Sequence, residues 1–173
     1  MVKVLPDLAP WQFESLSAYH EAAHTVAAVA VGHPVEHVSI ERHAVDIVDS
    51  PAGGTALGPW SAPVVDHLTM LWAGQRAALR RLEELGLVTE ANLVDLAWQG
   101  ASDLVEIDRW TTRFELDPET GLAPAESFIS RCWAAIAGLA AMLSKHYTLT
   151  GDQVNAYVAR NHPHLVSSPQ LQQ

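Results

Sequence analysis

The run from about Trp11 to Val31 contains neither glycine nor proline, and Phe13, Leu16, Ala23, Ala27 and Val31 recur within it at helical spacing. The pattern predicts one long buried helix. Pro10 suits its first turn, where a missing N–H costs nothing, and Gly32 and Pro34 supply the stop. Inside the run stands Tyr19-His20-Glu21-Ala22-Ala23-His24. At about 3.6 residues per turn, His20 and His24 project from one face a turn apart, the separation that two ligands of one tetrahedral metal require. Glu21 lies about 100° round the helix. From there a carboxylate does not ligate easily, but it can take a proton from water at the metal. The plainer alternative is a core helix whose two histidines only find hydrogen-bond partners.

A chain of 173 residues, 49% of them apolar, has room for one core, so residues 1–173 are expected to form a single domain with flexible tails at 1–9 and 167–173. The lone cysteine, Cys132, has no partner for an intrachain disulfide and falls in an apolar helical run, where a small buried hydrophobe is expected. Ten Lys and Arg against twenty Asp and Glu give a formal charge of −10, which repels phosphate backbones and anionic lipid. Nucleic acid is not an expected partner. The cluster Arg76, Arg80 and Arg81 runs into Glu83 and Glu84, as on a solvated helix face with local ion pairs. The longest apolar stretches, Val26 to Val31 and Trp133 to Leu143, are shorter than a bilayer requires, so no membrane span and a cytoplasmic location are expected.

After the first helix, Val35 to Ile40 alternates apolar and polar as a half-buried strand does. Residues 42–60 carry Pro51, Gly53, Gly54, Gly58 and Pro59, which suggests a hairpin or an irregular rim with an edge strand at Thr55-Ala56-Leu57. Such an edge, Thr55 to Gly58, would hold an extended peptide by strand addition. Helices are expected at about 62–85, 90–98, 102–114, from near Pro124 through Leu143, and at 152–160, the last capped by Thr150 or Asp152. Gly74 interrupts the second helix and suggests the close approach of another backbone. The fold class is thus mostly α with a small sheet or hairpin, a helical bundle carrying the histidine helix.

A catalytic zinc needs a third protein ligand and keeps one position for water. The glycine and third histidine of the extended zincin pattern are absent, since Ala27 and Ala30 occupy those places. Asp103 and Glu106 are three apart on one expected helix, and spacing leaves both open. Of the other histidines, His43 and His67 are candidates for a cleft rim, while His33, His37, His146, His162 and His164 are expected to be surface or hydrogen-bonded residues. The tryptophans, including Trp60, Trp72, Trp98, Trp110 and Trp133, are expected in the core or at an oligomer interface.

Several segments, in order, resemble the protease domain of the FtsH-type AAA zinc metalloproteases. Tyr19 to His24 follow that family's Tyr-His-Glu-Ala-Gly-His with Ala23 for glycine, and Pro34 to Ile40 look like its Pro-Val-x-x-Val-Ser-Ile strand. Ala56-Leu57-Gly58 matches the next strand, and Ala73-Gly74-Gln75-Arg76-Ala77-Ala78 is similar to its Gly-Gly-Arg-x-Ala helix. Gln99-Gly100-Ala101-Ser102-Asp103 resembles the segment whose final aspartate is the third zinc ligand. The likeness spans about Ala18 to Tyr157 and weakens after Asp103.

The resemblance implies a zincin-like metallopeptidase domain with one zinc per chain, held by His20, His24 and Asp103, with Glu21 as general base and Glu106 outside the ligand set. Only seventeen residues precede Ala18 and no Walker loop is present, so ATP-driven unfolding is not expected of this sequence itself. The expected substrates are flexible or unfolded polypeptides, with a separate ATPase or adaptor as a further partner and a homo-oligomer implied by the family's ring. A catalytically inactive zinc-binding regulatory or scaffold module is the alternative from another class. An amidohydrolase, or a maturation enzyme for one small peptide, would use the same residues.

Overall fold

The computed structural model describes residues 8–40 and 53–166. The first helix, α1, spans Pro10–Ala30. At its start the Gln12 side chain accepts the Ala9 N–H at 2.7 Å. At its end Gly32 adopts φ 74°, and the His33 N–H turns back to the Ala28 carbonyl at 2.9 Å. Every residue from His20 to Ala30 is buried. This half of α1 is the axis of the molecule, and its fully buried Ala22, Ala23, Ala27 and Ala28 let neighbouring helices lie close.

Those neighbours are α2 (Val64–Glu84) and α5 (Leu122–His146), which both pack on α1 and on each other. Between α2 and α5 come α3 (Glu90–Gln99) and α4 (Ala101–Phe114), joined at Gly100. A three-stranded antiparallel sheet, in the order β2 (Gly54–Leu57), β1 (Val35–Ser39), β3 (Thr148–Thr150), lies beside the bundle. Val38 is opposite Thr55 on one side and Leu149 on the other. Directly opposed residues share a face of the sheet, and Val38 and Leu149 face the core. α6 (Gly151–Asn161) follows β3 at once, with a reciprocal cap between Thr150 and Gln153, and a short 3-10 turn closes at Leu165.

The fold is therefore mostly helical with a small sheet, and the helices fall where the sequence pattern puts them. Several details differ. β3 is a strand that local pattern does not announce. α5 begins at Leu122, two residues before Pro124, since a proline in a first helical turn breaks no bond. α5 is also, among the described residues, the one helix long and apolar enough by length and composition to cross a membrane. Counting unbroken apolar runs hides this, because Glu126, Ser130 and Arg131 interrupt the sequence without ending the helix. Its Phe128, Ile136, Leu139 and Leu143 are fully buried in the core with α1 and α2.

The residues grouped with an N-terminal tail include Leu8, which packs with Leu16 and Leu82 in a second small cluster. Trp98, expected in the core or at an oligomer interface, is 74% exposed and so not in the core, because α3 buries only Asn92 and Leu96. Cys132 is buried, as expected. Arg80 and Arg81 both pair with Glu84 along α2, and Arg76 reaches across to Glu126 of α5 at 2.6 Å.

Candidate metal centre

α1 meets α2 and the start of α4 at its middle turns, and three donor atoms converge there. His20 Nε2 and His24 Nε2 lie 2.9 Å apart, and Asp103 Oδ2 is 2.9 Å from the first and 3.2 Å from the second. Both histidines are 6% exposed. Ligands about 2.0–2.1 Å from a tetrahedral ion stand about 3.3 Å from one another, so these separations fit a single metal closely. Buried His20 and His24, which share a face of α1 as their spacing predicts, and half-buried Asp103 form a group that could hold a metal ion.

Each donor is held in place by chemistry behind it. The Met70 carbonyl, on α2, accepts a hydrogen bond from His24 Nδ1–H at 2.8 Å, so that when the ring gives up a proton it is Nε2, facing the centre, that gains the lone pair. Asp103 sits in the first turn of α4, where unpaired N–H groups favour an anion. The turn itself is fixed from α2: Gln75 Nε2 donates to the Gly100 carbonyl at 3.0 Å, and a side chain at Gly100 would collide with Gln75.

Gly74 is the cradle. A Cβ there would overlap Nε2 of His24 and come within 2.9 Å of Nε2 of His20. The close approach suggested by a glycine in mid-helix is real, but imidazole rings make it rather than a backbone. Charge is arranged to match. Burial works to lower the His24 pKa, yet the Asp103 carboxylate, helped by Glu21 and the Met70 carbonyl, raises it to about 9. Burial likewise opposes ionisation of Asp103, and the two imidazoles outweigh it and hold its carboxyl well below the usual range.

Glu21 is buried at 8% exposure and stands outside the converging donors. Its Oε2 accepts a hydrogen bond from the Thr55 hydroxyl of β2 at 2.9 Å.

No family model matches this chain, and no curated protein matches it. The chemistry of the centre rests on its own atoms. Three protein donors would leave a tetrahedral ion one position for a small molecule, and the Glu21 carboxylate, outside the donor set, acts electrostatically on His24.

The remaining candidates are sorted by the fold. Glu106, which spacing left open beside Asp103, accepts hydrogen bonds from Trp110 Nε1 and Arg109 and takes no part in the cluster. Thr55, Ala56 and Leu57 do lie in an edge strand, paired on one side with β1. Gly58 follows it, and its carbonyl accepts from His33 Nε2 at 3.0 Å. His43 lies outside the described residues. His162 and His164 stand 6.1 Å apart ring to ring and gather no third ligand among the described residues. Sequence reasoning missed the roles of Met70, which acts through its backbone carbonyl and leaves no trace in residue type, and of Gln75, whose side-chain amide reaches a carbonyl distant in the chain. Thr55 was singled out for its strand, not its hydroxyl.

His67 is half-buried and near enough to His24 to feel its charge. It is stacked in a ladder of rings, His33, Trp60, His67, Trp110 and Phe114, with successive centroids 4.4, 4.7, 4.7 and 5.6 Å apart. His33, expected at the surface or in a hydrogen bond, is buried with one ring nitrogen bonded to Gly58. Burial pushes the His67 pKa down to about 4, reinforced by His33 and His24 and opposed by Glu106. A folded pKa below the unfolded value of about 6.5 means the unfolded chain binds the proton first. Stability from neutral His67 is therefore present above about 6.5 and is lost as pH falls toward 4. In metal-free protein the raised pKa of His24 works the other way, adding stability as pH falls through about 6.5, so His67 is isolated by comparison with His67→Phe, which shares the His24 contribution. From pH 7 through 5.5 to 4.5 the urea midpoint of metal-free wild type is expected to lose ground relative to that of His67→Phe. Equal slopes in the two proteins would contradict the assignment.

Proposed function

We propose that this chain is a zinc-dependent metallopeptidase domain of zincin-like type, related in design to the FtsH-type proteases whose motifs its sequence resembles. The observation that carries the reading is the buried carboxylate of Glu21 standing beside, and not within, a three-donor metal centre. A purely structural site is closed by four ligands and has no use for such a group. His20, His24 and Asp103 would hold the zinc, one ion per chain. When bound, that ion supplies Lewis acidity, which makes water more acidic and stabilises charge on a carbonyl oxygen.

The chain's own residues do the rest. Glu21 accepts the proton of the attacking water and later returns it to the departing amide nitrogen. His24, held by Met70, and Asp103, held by the Gln75-fixed turn, keep the centre from spreading as charge shifts. β2 is an edge strand carrying Thr55 beside Glu21, and its outer N–H and C=O groups suit an extended peptide laid antiparallel or parallel to it. Flexible or unfolded polypeptides fit such an edge, and a separate ATPase or adaptor would deliver folded ones. The reading includes a cytoplasmic setting, from the short apolar runs of the sequence, and a homo-oligomer, from the family resemblance.

The test is elemental analysis of wild type and Asp103→Ala, followed by cleavage of unfolded casein with and without chelator. One equivalent of zinc, near-complete loss of it in Asp103→Ala, and chelator-sensitive cleavage are expected. Zinc without cleavage of any polypeptide would turn the reading to a zinc-binding regulatory or scaffold module, and no metal in wild type would return both histidines to the core.

A further inference from the structure

The register of the sheet puts one hydroxyl against the Glu21 carboxylate. Thr55 is opposite Val38, whose side chain is fully buried, so Thr55 faces α1 as Val38 does. A slip of one residue would bring Gly54 or Ala56 to that place, and neither carries a donor in its side chain. The irregularity between Val35 and His37 sets the register.

Three oxygens surround the Thr55 hydroxyl: Glu21 Oε2 at 2.9 Å, Thr25 Oγ1 at 3.2 Å and the Glu21 carbonyl at 3.3 Å. A hydroxyl has one proton to give. Thr25 already donates its own to the Glu21 carbonyl at 2.7 Å, which serves that acceptor better than Thr55 can. The Thr55 proton therefore goes to Oε2, the nearest acceptor and the charged one. Among the described residues Thr55 is the one side chain hydrogen-bonded to this carboxylate.

We propose that Thr55 is the positioning residue of the Glu21 base: its hydroxyl anchors Oε2 and fixes the carboxylate plane, so that Oε1 is the oxygen that takes the proton. The role rests on the peptidase reading above. An ionised carboxylate on a three-torsion side chain gains orientation from a single strong bond, and partners behind functional groups are typically worth about 10- to 100-fold in activity. The Thr55 side chain touches neither substrate nor the ligand atoms in this scheme, since β2 meets a peptide through its backbone.

The experiment compares Thr55→Val, nearly the same shape without the hydroxyl, with Thr55→Ser, which keeps it. Thr55→Val is expected to retain one equivalent of zinc and an unchanged KM while kcat falls about 10- to 100-fold. Thr55→Ser is expected to recover most of kcat. A Ser variant as slow as the Val variant, a loss carried by KM or metal content, or an undiminished kcat in Thr55→Val would each overturn the proposal. Melting of the metal-free protein supplies a readout independent of turnover. Thr55→Val is expected to lower Tm in the wild-type background and to add little once Glu21→Ala has removed the acceptor, whereas additive losses would show that no such bond exists. A wild type that cleaves nothing sinks the peptidase reading and the catalytic consequence with it. The contact then still stands or falls by the melting cycle.

Discussion

Glu21→Gln is expected to keep its zinc and lose turnover by about 100- to 10,000-fold, the range typical for removing a general base. The substitution preserves shape, and His20, His24 and Asp103 are untouched, so metal content by elemental analysis should equal that of wild type. The amide side chain should also stay where the Glu21 carboxylate was. Thr55 donates its proton and so pairs with the amide oxygen, which turns the amide NH2 toward the place Oε1 occupied. That nitrogen has no lone pair available for a proton. The carboxylate is thus replaced, at the reacting position, by a group of the same size and the wrong chemistry. Steady-state cleavage of a fluorogenic unfolded substrate, run beside zinc content and a melting curve, checks the three parts together. A Gln variant keeping more than about a tenth of wild-type kcat would place the base elsewhere and sink the mechanism.

The part of this site built on α1 is legible in sequence because it is local. Two histidines four apart on an unbroken helical run must share a face, and nothing distant alters that. Asp103 is different. Asp103 and Glu106 lie three apart on α4, and the choice between them is made by how α4 is rolled. Gln75 holds the Gly100 carbonyl at one end, and Trp110 takes Glu106 into a hydrogen bond at the other. The first contact has no signature in spacing, and the second, an i,i+4 pair, says only that two side chains can meet and not which way α4 is rolled. β3 was illegible for a similar reason: Thr148–Thr150 is a strand only because β1, far away in the chain, offers it an edge. Trp98 fell at an apolar helical position, but α3 is short and packs through Asn92 and Leu96, which leaves Trp98 in solvent. Periodicity says which residues share a face. It does not say whether anything covers that face.

Gly74→Ala separates the metal centre from the fold that carries it, because its two effects have opposite sign. Within α2 alone, alanine is the better helix former by about 1 kcal/mol. At this position, however, the added methyl would occupy the space of the His24 Nε2 and crowd His20 Nε2. Both atoms are tips of side chains and can swing aside, so the chain should still fold. They cannot swing aside and remain within ligating distance of one ion. The expected result is a metal-free melting temperature close to that of wild type or somewhat higher, with zinc affinity lost. The comparison is sharpest as a zinc-dependent gain in stability: an ion at about 100 times its Kd stabilises a protein by about 2.7 kcal/mol, and Gly74→Ala should show almost none of that gain. If the variant bound zinc and gained stability as wild type does, the two imidazoles could not converge against α2, and the ligand geometry described above would be wrong. Loss of zinc together with collapse of the metal-free fold would mean instead that the rings have no second place to go and that Gly74 is needed for packing as well as for the metal.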